Sequence, residues 1–247
     1  MAISTNPLAW LRSVQPRRAI ALLLLLLPLT VGAQTVRDLW LSMPPSLAPY
    51  LSTSLRTHCL DFYDMHTDAQ TDNALKGKSR IDTLTSTFLA ATLSKAHTLQ
   101  MKLLPASGSG SGSASGSASG LGSSMVSGSG SSSSLSSCDS VLCVVRSWDG
   151  PKRDSEVQLF DRQWKPLQAP LTFSADSFVC RPDTMSEERF SRLVALLDPI
   201  MFSVSLSPAE NVLLVKLSPV VPNPEDEKAI EQILVQRKLK WNGKIFK

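Results

Sequence analysis

From Ser107 to Ser137 the sequence is almost wholly Ser and Gly, interrupted by a few Ala and by the isolated apolar residues Leu121, Met125, Val126 and Leu135. Such a stretch cannot bury enough surface to offset its chain entropy, so a flexible coil is expected there. Any fold of this chain must therefore carry a long segment that adds nothing to a core. A Gly/Ser coil of this length spans roughly 30 Å end to end, and each doubling of a loop's length costs only about 0.6 kcal/mol in closure entropy. The insert, taken as 106–137, can thus be a hinge between two domains or a slack loop inside one. Neither flank alone carries a complete core, which favours the slack loop.

The chain begins with Arg12, Arg17 and Arg18 and no acid, followed by an apolar run from Ala19 to Leu27 and on through Leu29 and Val31. That is the layout of a cleavable secretory signal peptide, with Val31 and Ala33 suiting a cut before Gln34. The run is roughly a dozen residues, where a membrane-spanning helix needs about twenty. No Cys sits at the cut, which argues against a lipoprotein. Residues 1–33 are accordingly expected to be removed and residues 34–247 to form the exported, soluble protein, periplasmic or secreted, with no transmembrane span. Cleavage removes three Arg and no acids, leaving 22 basic against 21 acidic residues. A body so nearly neutral has no excess of cations with which to release counterions from nucleic acid.

The pattern of elements is mixed. Ser46 is a candidate N-cap for a helix running to about Leu55, with Leu47, Leu51 and Leu55 on one stripe. Thr87–Leu93 and Thr98–Leu104 read as strands joined by a hairpin at 94–97, the second alternating Leu99, Met101 and Leu103 against Gln100 and Lys102. Val141–Val145 suits a central strand, and the turn at Asp149-Gly150-Pro151 leads to another strand ending near Phe160. Ser186 caps a helix with Phe190, Leu193, Leu196 and Leu197 on one face. Met201–Leu206 and Val212–Leu217 form a further strand pair, and Pro224 opens a last helix with Ile230, Ile233 and Leu234 buried. Asn242-Gly243 signals a type I′ hairpin. With no βαβ alternation, the expected class is α+β, an antiparallel sheet built from hairpins with two or three packed helices in one domain over 34–247.

Four cysteines follow the leader, Cys59, Cys138, Cys143 and Cys180. In an exported protein they permit two disulfides with three connectivities. If Cys138 and Cys143 shared a strand they would lie about 16 Å apart along it on opposite faces, too far to bond. A buried free thiol at Cys143 is the competing expectation. The densest polar cluster, His58, Cys59, Asp61, Asp64, His66, Asp68 and Asp72, mixes nitrogen, sulfur and oxygen donors without any metal-binding spacing, and reads as a solvated face. Leu75-Lys76-Gly77-Lys78-Ser79 ends like a phosphate-binding loop but has Asn73 where the earlier Gly is needed, and reads as a turn with a charged rim. No G-x-S-x-G elbow occurs. Trp148, Trp164 and Trp241, with Tyr50 and Tyr63, are candidates to line a carbohydrate or peptide groove, although aromatics that bracket strands more often edge a core.

The strings Leu47-Ala48-Pro49-Tyr50-Leu51, Leu60-Asp61-Phe62-Tyr63-Asp64, Leu75-Lys76-Gly77-Lys78-Ser79, Met101-Lys102-Leu103-Leu104-Pro105, Asp139-Ser140-Val141-Leu142-Cys143-Val144 and Phe160-Asp161-Arg162-Gln163-Trp164 resemble a family of uncharacterised exported proteins from Bacteroidetes, a domain of unknown function. The Ser/Gly insert departs from that family's short connection. The resemblance implies export and a compact domain and supplies no catalytic residue. No residue is therefore assigned as catalytic, cofactor-binding or metal-ligating. The expected role is a non-enzymatic binding or interaction module of the cell envelope, using a sheet face or edge on another envelope protein or a glycan. The alternative is a secreted hydrolase whose site is assembled from dispersed residues around His58 and His66.

Overall fold

Six successive strands, all but the first carrying apolar residues, zip together in sequence order. The computed structural model describes residues 34–106, 140–168, 170–221 and 223–247; the expected leader 1–33, the Ser/Gly stretch 107–137 and Cys138 lie outside the described residues. Strands β1 (Thr71–Asp72), β2 (Lys78–Leu84), β3 (Phe88–Ser94), β4 (His97–Pro105), β5 (Ser140–Asp149) and β6 (Arg153–Phe160) form one antiparallel sheet in the order 1-2-3-4-5-6. Beyond it, β7 (Phe202–Leu206), β8 (Val212–Leu217) and β9 (Arg237–Lys240) form a second, three-stranded antiparallel sheet. Pro105 and Ser140, which flank the insert, are register partners on β4 and β5. Ala106 is buried against the second core, so the packed structure extends one residue into the stretch assigned to the insert.

Because side chains alternate across a pleated strand, the large sheet presents two apolar faces. Leu89, Leu99, Met101, Leu142 and Val144 face helices α1 (Val36–Ser42) and α2 (Thr53–Asp64), which bury Leu39, Trp40 and Leu60 there. Phe88, Leu104, Val141, Cys143, Val145, Val157 and Leu159 face the small sheet and helices α3 (Glu187–Ala195) and α4 (Pro224–Glu231). Each large apolar side chain so buried contributes roughly 1.5–3 kcal/mol. The class is thus α+β with antiparallel sheets built from hairpins, and the α-helices among the described residues number four.

Several local expectations are corrected. The helix placed over Ser46–Leu55 does not form: 44–51 is a run of turns that buries Leu47 and Leu51, and α2 starts at Thr53 with Ser52 Oγ accepting the Leu55 amide. A helix forms earlier instead, because Thr35 and Asp38 build a reciprocal capping box. Leu196, assigned to the buried stripe of α3, is 37% exposed, because the helix has ended and Leu197 turns inward in its place. At Asn242-Gly243 only Gly243 takes a positive φ, 97°, so the type I′ turn, which needs two such residues, is not adopted; Asn242 Oδ1 instead accepts the amides of Lys244 and Ile245, both at 2.9 Å. Cys59 and Cys143 are buried free thiols and Cys180 is an exposed one, so no bridge joins any two of these three.

The small sheet docks onto the large one through side chains that reach backbone. The outward amides of β7 at Phe202, Val204 and Leu206 donate to Asp154 Oδ1 (3.3 Å), Ser155 Oγ (3.1 Å) and Gln100 Oε1 (2.8 Å). Lys102, only 2% exposed, donates from Nζ to the carbonyls of Ser207 (2.6 Å), Pro208 (3.0 Å) and Glu210 (2.7 Å) in the β7–β8 turn. Among the described residues no helix is long and apolar enough to cross a membrane.

Candidate functional site

Helix α2 disperses the polar cluster that the sequence places around His58. Its periodicity buries Arg56, Cys59 and Leu60 and leaves His58 and Asp61 exposed. Asp64 forms an ion pair with Arg37, and Asp72 one with Lys78 at 2.7 Å. After the helix, His66 turns the chain at φ 53° and its Nδ1 lies 3.0 Å from the Tyr63 carbonyl. His66 and Asp68 line a cleft of about 520 Å³ with Cys59, Tyr63, Arg80 and Asp82; His58 does not. Among the described residues no three His, Cys, Asp or Glu side chains gather to hold a metal ion.

Asp82, Arg80 and Cys59 in this cleft are engaged by structural partners. Asp82 accepts Arg80 Nε and Thr92 Oγ1, both at 2.7 Å. The Cys59 thiol points at the Ser79 carbonyl, and burial pushes its pKa up, which leaves little thiolate at neutral pH. No hydrogen bond joins His66 to Asp68, Asp82 or Cys59 among the described residues, so a nucleophile–base pair is not assembled there.

A second site lies at the end of the large sheet where the β1–β2 and β3–β4 turns meet. Asn73 is its organiser: Nδ2 donates to the Leu93 carbonyl (2.7 Å) and to Ser79 Oγ (3.0 Å), while Oδ1 accepts the amides of Leu75 and Gly77, each at 3.0 Å. One buried side chain thereby folds the turn Leu75–Lys78 and ties it to β3. Gly77 sits so close that an added Cβ would meet Asn73 Nδ2 and Ser94 Cβ at 3.0 Å. Lys76 is held at φ 58°, a left-handed conformation costly for a residue with a Cβ. The segment is a turn with a charged rim, as its sequence suggests.

Beside this turn lies a cavity of about 600 Å³. Arg80 and Thr92, cross-strand partners on β2 and β3, line it together with Lys76, Lys78 and Lys95. No carboxylate lines it, and Leu75 stands on its rim 73% exposed.

On the helix-bearing face of the same end, Ala74 N donates to the Tyr50 carbonyl at 3.0 Å, and the Tyr50 phenol is hydrogen-bonded to His97 Nδ1. The His97 ring stacks on Trp148 at 5.3 Å and 12°, and the Arg146 guanidinium lies 5.5 Å from the centre of the Trp148 ring. Burial, with the Arg146 charge adding to it and Asp149 partly opposing it, pushes His97 down to about 4. Burial likewise pushes Tyr50 up to about 12. Both side chains are therefore neutral at pH 7, and His97 Nε2 is buried with no hydrogen-bond partner among the described residues.

The aromatic residues do not share one groove. Trp148 is 39% exposed, whereas Trp164 is buried with Nε1 donating to Ser42 Oγ at 3.2 Å. Trp241 packs on Phe246 and donates to the Pro105 carbonyl at 2.7 Å, and the Tyr63 hydroxyl pairs with backbone of Leu84. His97 and Lys95 were legible in sequence only as hairpin residues. Their signal, a lysine-bearing turn before β2 and another after β3, acquires meaning once the register brings those turns together.

A solved structure from Porphyromonas gingivalis W83, a domain of an uncharacterised protein from a member of the Bacteroidetes, is similar to this chain at 20% identity with a TM-score of 0.56, covering 86% of this chain and 98% of that one. That likeness shows a common fold and nothing of activity. No curated protein matches the chain. A family model described as "protein of unknown function (DUF3256)" matches residues 28–111 and 133–246, stepping over 112–132 within the Ser/Gly insert, and the chain belongs to that family.

Proposed function

We propose that this protein is an exported, soluble module of the cell envelope that acts by binding another macromolecule without catalysis, through the turn end of its six-stranded sheet. The observation that carries the reading is the cavity of about 600 Å³ at that end, lined by Lys76, Lys78 and Lys95 and by no carboxylate. Asn73 holds these turns rigidly, and a preorganised concave surface with a few convergent polar groups is what a recognition site requires. The charge and spacing of the leader support export.

The alternative, a secreted hydrolase, draws its support from the cleft that holds His66 with Asp68 and Asp82. Two measurements separate the readings. Fractionation of producing cells with N-terminal sequencing is expected to find the chain outside the cytoplasm beginning at Gln34; intact Met1 on cytoplasmic protein would remove export. The purified chain is expected to cleave neither a model ester nor a model peptide, and turnover abolished by His66→Ala would establish the hydrolase instead.

A further inference from the structure

We infer that the cavity between the β1–β2 and β3–β4 turns is a binding site for an acidic glycan, a sugar chain bearing carboxylate or phosphate groups. The inference rests on the binding reading above and names the ligand of that same surface. Of the four cations in the lining, Lys78 is shared with Asp72 and Arg80 with Asp82. Lys76 and Lys95 have no ion-pair partner among the described residues, so the cavity keeps two uncompensated positive charges, one from each turn.

The remaining lining is matched to hydroxyls. Gln70 offers an amide that both donates and accepts, Ser94 a hydroxyl proton, and Thr92, whose proton goes to Asp82, an acceptor oxygen, the groups that sugar hydroxyls pair with. Arg80 lies opposite Thr92 on paired strands, so main-chain groups there are engaged in the ladder. Between these two strands the groups left for recognition are side chains. Leu75, 73% exposed at the mouth, supplies apolar surface on which the C–H face of a sugar ring can rest. The left-handed backbone of Lys76 and the crowding around Gly77 fix where the Lys76 side chain leaves the turn, a local strain that the Asn73 hydrogen bonds sustain.

The test uses the protein purified as producing cells process it and titrates four polymers by calorimetry: polygalacturonate, phosphomannan, neutral dextran and poly-L-glutamate. Binding of polygalacturonate or phosphomannan is expected, weakening with added salt, with dextran and poly-L-glutamate at least about tenfold weaker. The double variant Lys76→Glu, Lys95→Glu is expected to lose at least about tenfold in affinity, which corresponds to about 1.4 kcal/mol. The control Lys240→Glu, Lys244→Glu, at the end of β9 and in the turn after it, is expected to change affinity by less than about twofold. Leu75→Ser, which leaves the charges in place, is expected to weaken the same polymers without altering the salt dependence. Poly-L-glutamate binding as tightly as the acidic glycans, or the two double variants behaving alike, would overturn the assignment. Loss of both acidic glycans with no hydrolytic activity removes the glycan and leaves the binding role standing, whereas hydrolysis removes the role itself.

Discussion

Lys102 offers the sharpest test of how the two sheets are joined. It sits on β4 opposite Cys143 of β5 and is 2% exposed, and its ammonium donates to three carbonyls of the β7–β8 turn at 2.6, 3.0 and 2.7 Å. Lys102→Met keeps the apolar stem and removes the charge with its three donors. Two effects oppose each other. Burial disfavours the ammonium, as its lowered pKa records, so its removal recovers some desolvation energy. Against that, hydrogen bonds to charged groups are worth about 1.5–3 kcal/mol each, and the three carbonyls lose their donor together. Ser207 is half-buried while Pro208 and Glu210 are exposed, so water can replace part of what is lost. The net expectation is a destabilisation of about 2–3 kcal/mol, which lowers Tm by roughly 4–12 °C for a domain of this size. Differential scanning calorimetry reads the shift, and amide exchange should show the turn at 207–211 losing protection before the rest of the small sheet. A Lys102→Met protein as stable as the parent, or more so, would mean that desolvation outweighs the three bonds and that Lys102 does not clamp the sheets.

The ring of His97 binds a proton less readily in the fold, at about 4, than in the unfolded chain, near 6.5. The unfolded state therefore holds more protons between those values, and stability present above pH 6.5 should decline as pH falls towards 4, by about 1–2 kcal/mol once solvent at the open rim is allowed for; in chemical denaturation His97→Phe should flatten that slope, and an unchanged slope would refute the assignment. Gly77→Ala should cost about 1–3 kcal/mol in the same assay, because its Cβ meets Asn73 and Ser94 at 3.0 Å, and a neutral result would show that the turn gives way. Replacing 107–137 by a short Gly linker should leave Tm unchanged or raise stability by roughly 1–2 kcal/mol through a smaller closure entropy, since Pro105 and Ser140 already pair; loss of folding would show that the stretch is structural. Iodoacetamide should label Cys180 in the native protein and spare Cys59 and Cys143 until it unfolds, as peptide mass spectrometry can verify.

The strand pairs were legible wherever apolar alternation met a short turn, as in Thr98–Leu104 or Val212–Leu217. The same alternation misleads about solvent. Gln100 and Lys102 alternate with Leu99, Met101 and Leu103 as though their face of β4 were wet, yet Lys102 is buried and Gln100 accepts the Leu206 amide. Period-two patterning reports the pleat of one strand and cannot register a second sheet, contributed by residues a hundred positions later, that covers the polar face. The misplaced first helix has a local cause. Ser46 and Thr35 are both acceptable caps, and only Thr35 has an acid at the third helical position, Asp38, to complete a box. The site was half legible. The Leu75–Ser79 turn and its charge stood in the sequence, whereas its juxtaposition with Lys95 depends on Asn73 reaching the Leu93 carbonyl across the sheet.

Those cross-sheet contacts also decide which surface is available for a partner. A sheet edge was one of the two surfaces expected to serve, and β7 is an edge strand of the small sheet. Its outward amides at Phe202, Val204 and Leu206 are already taken by Asp154, Ser155 and Gln100. On the far side of that sheet, β9 meets the chain's own last residues through the mutual Lys240–Lys247 hydrogen bonds and the Trp241–Phe246 bridge. In the large sheet, β6 is bridged by Leu171 at Val157 and by Pro166 at Phe160. At these three edges strand addition finds outward groups already engaged; at the remaining edge the two-residue β1 pairs only with Lys78 and Ser79, and β2 runs on to Leu84 beyond it. Of the faces, both sides of β4 and β5 are covered, by helices on one and by the small sheet on the other, whereas Arg80 and Thr92 on β2 and β3 remain open to the cavity between the turns. On the proposed binding reading, the open surface at the turn end, lined by Lys76 and Lys95, is thus the one left for a partner.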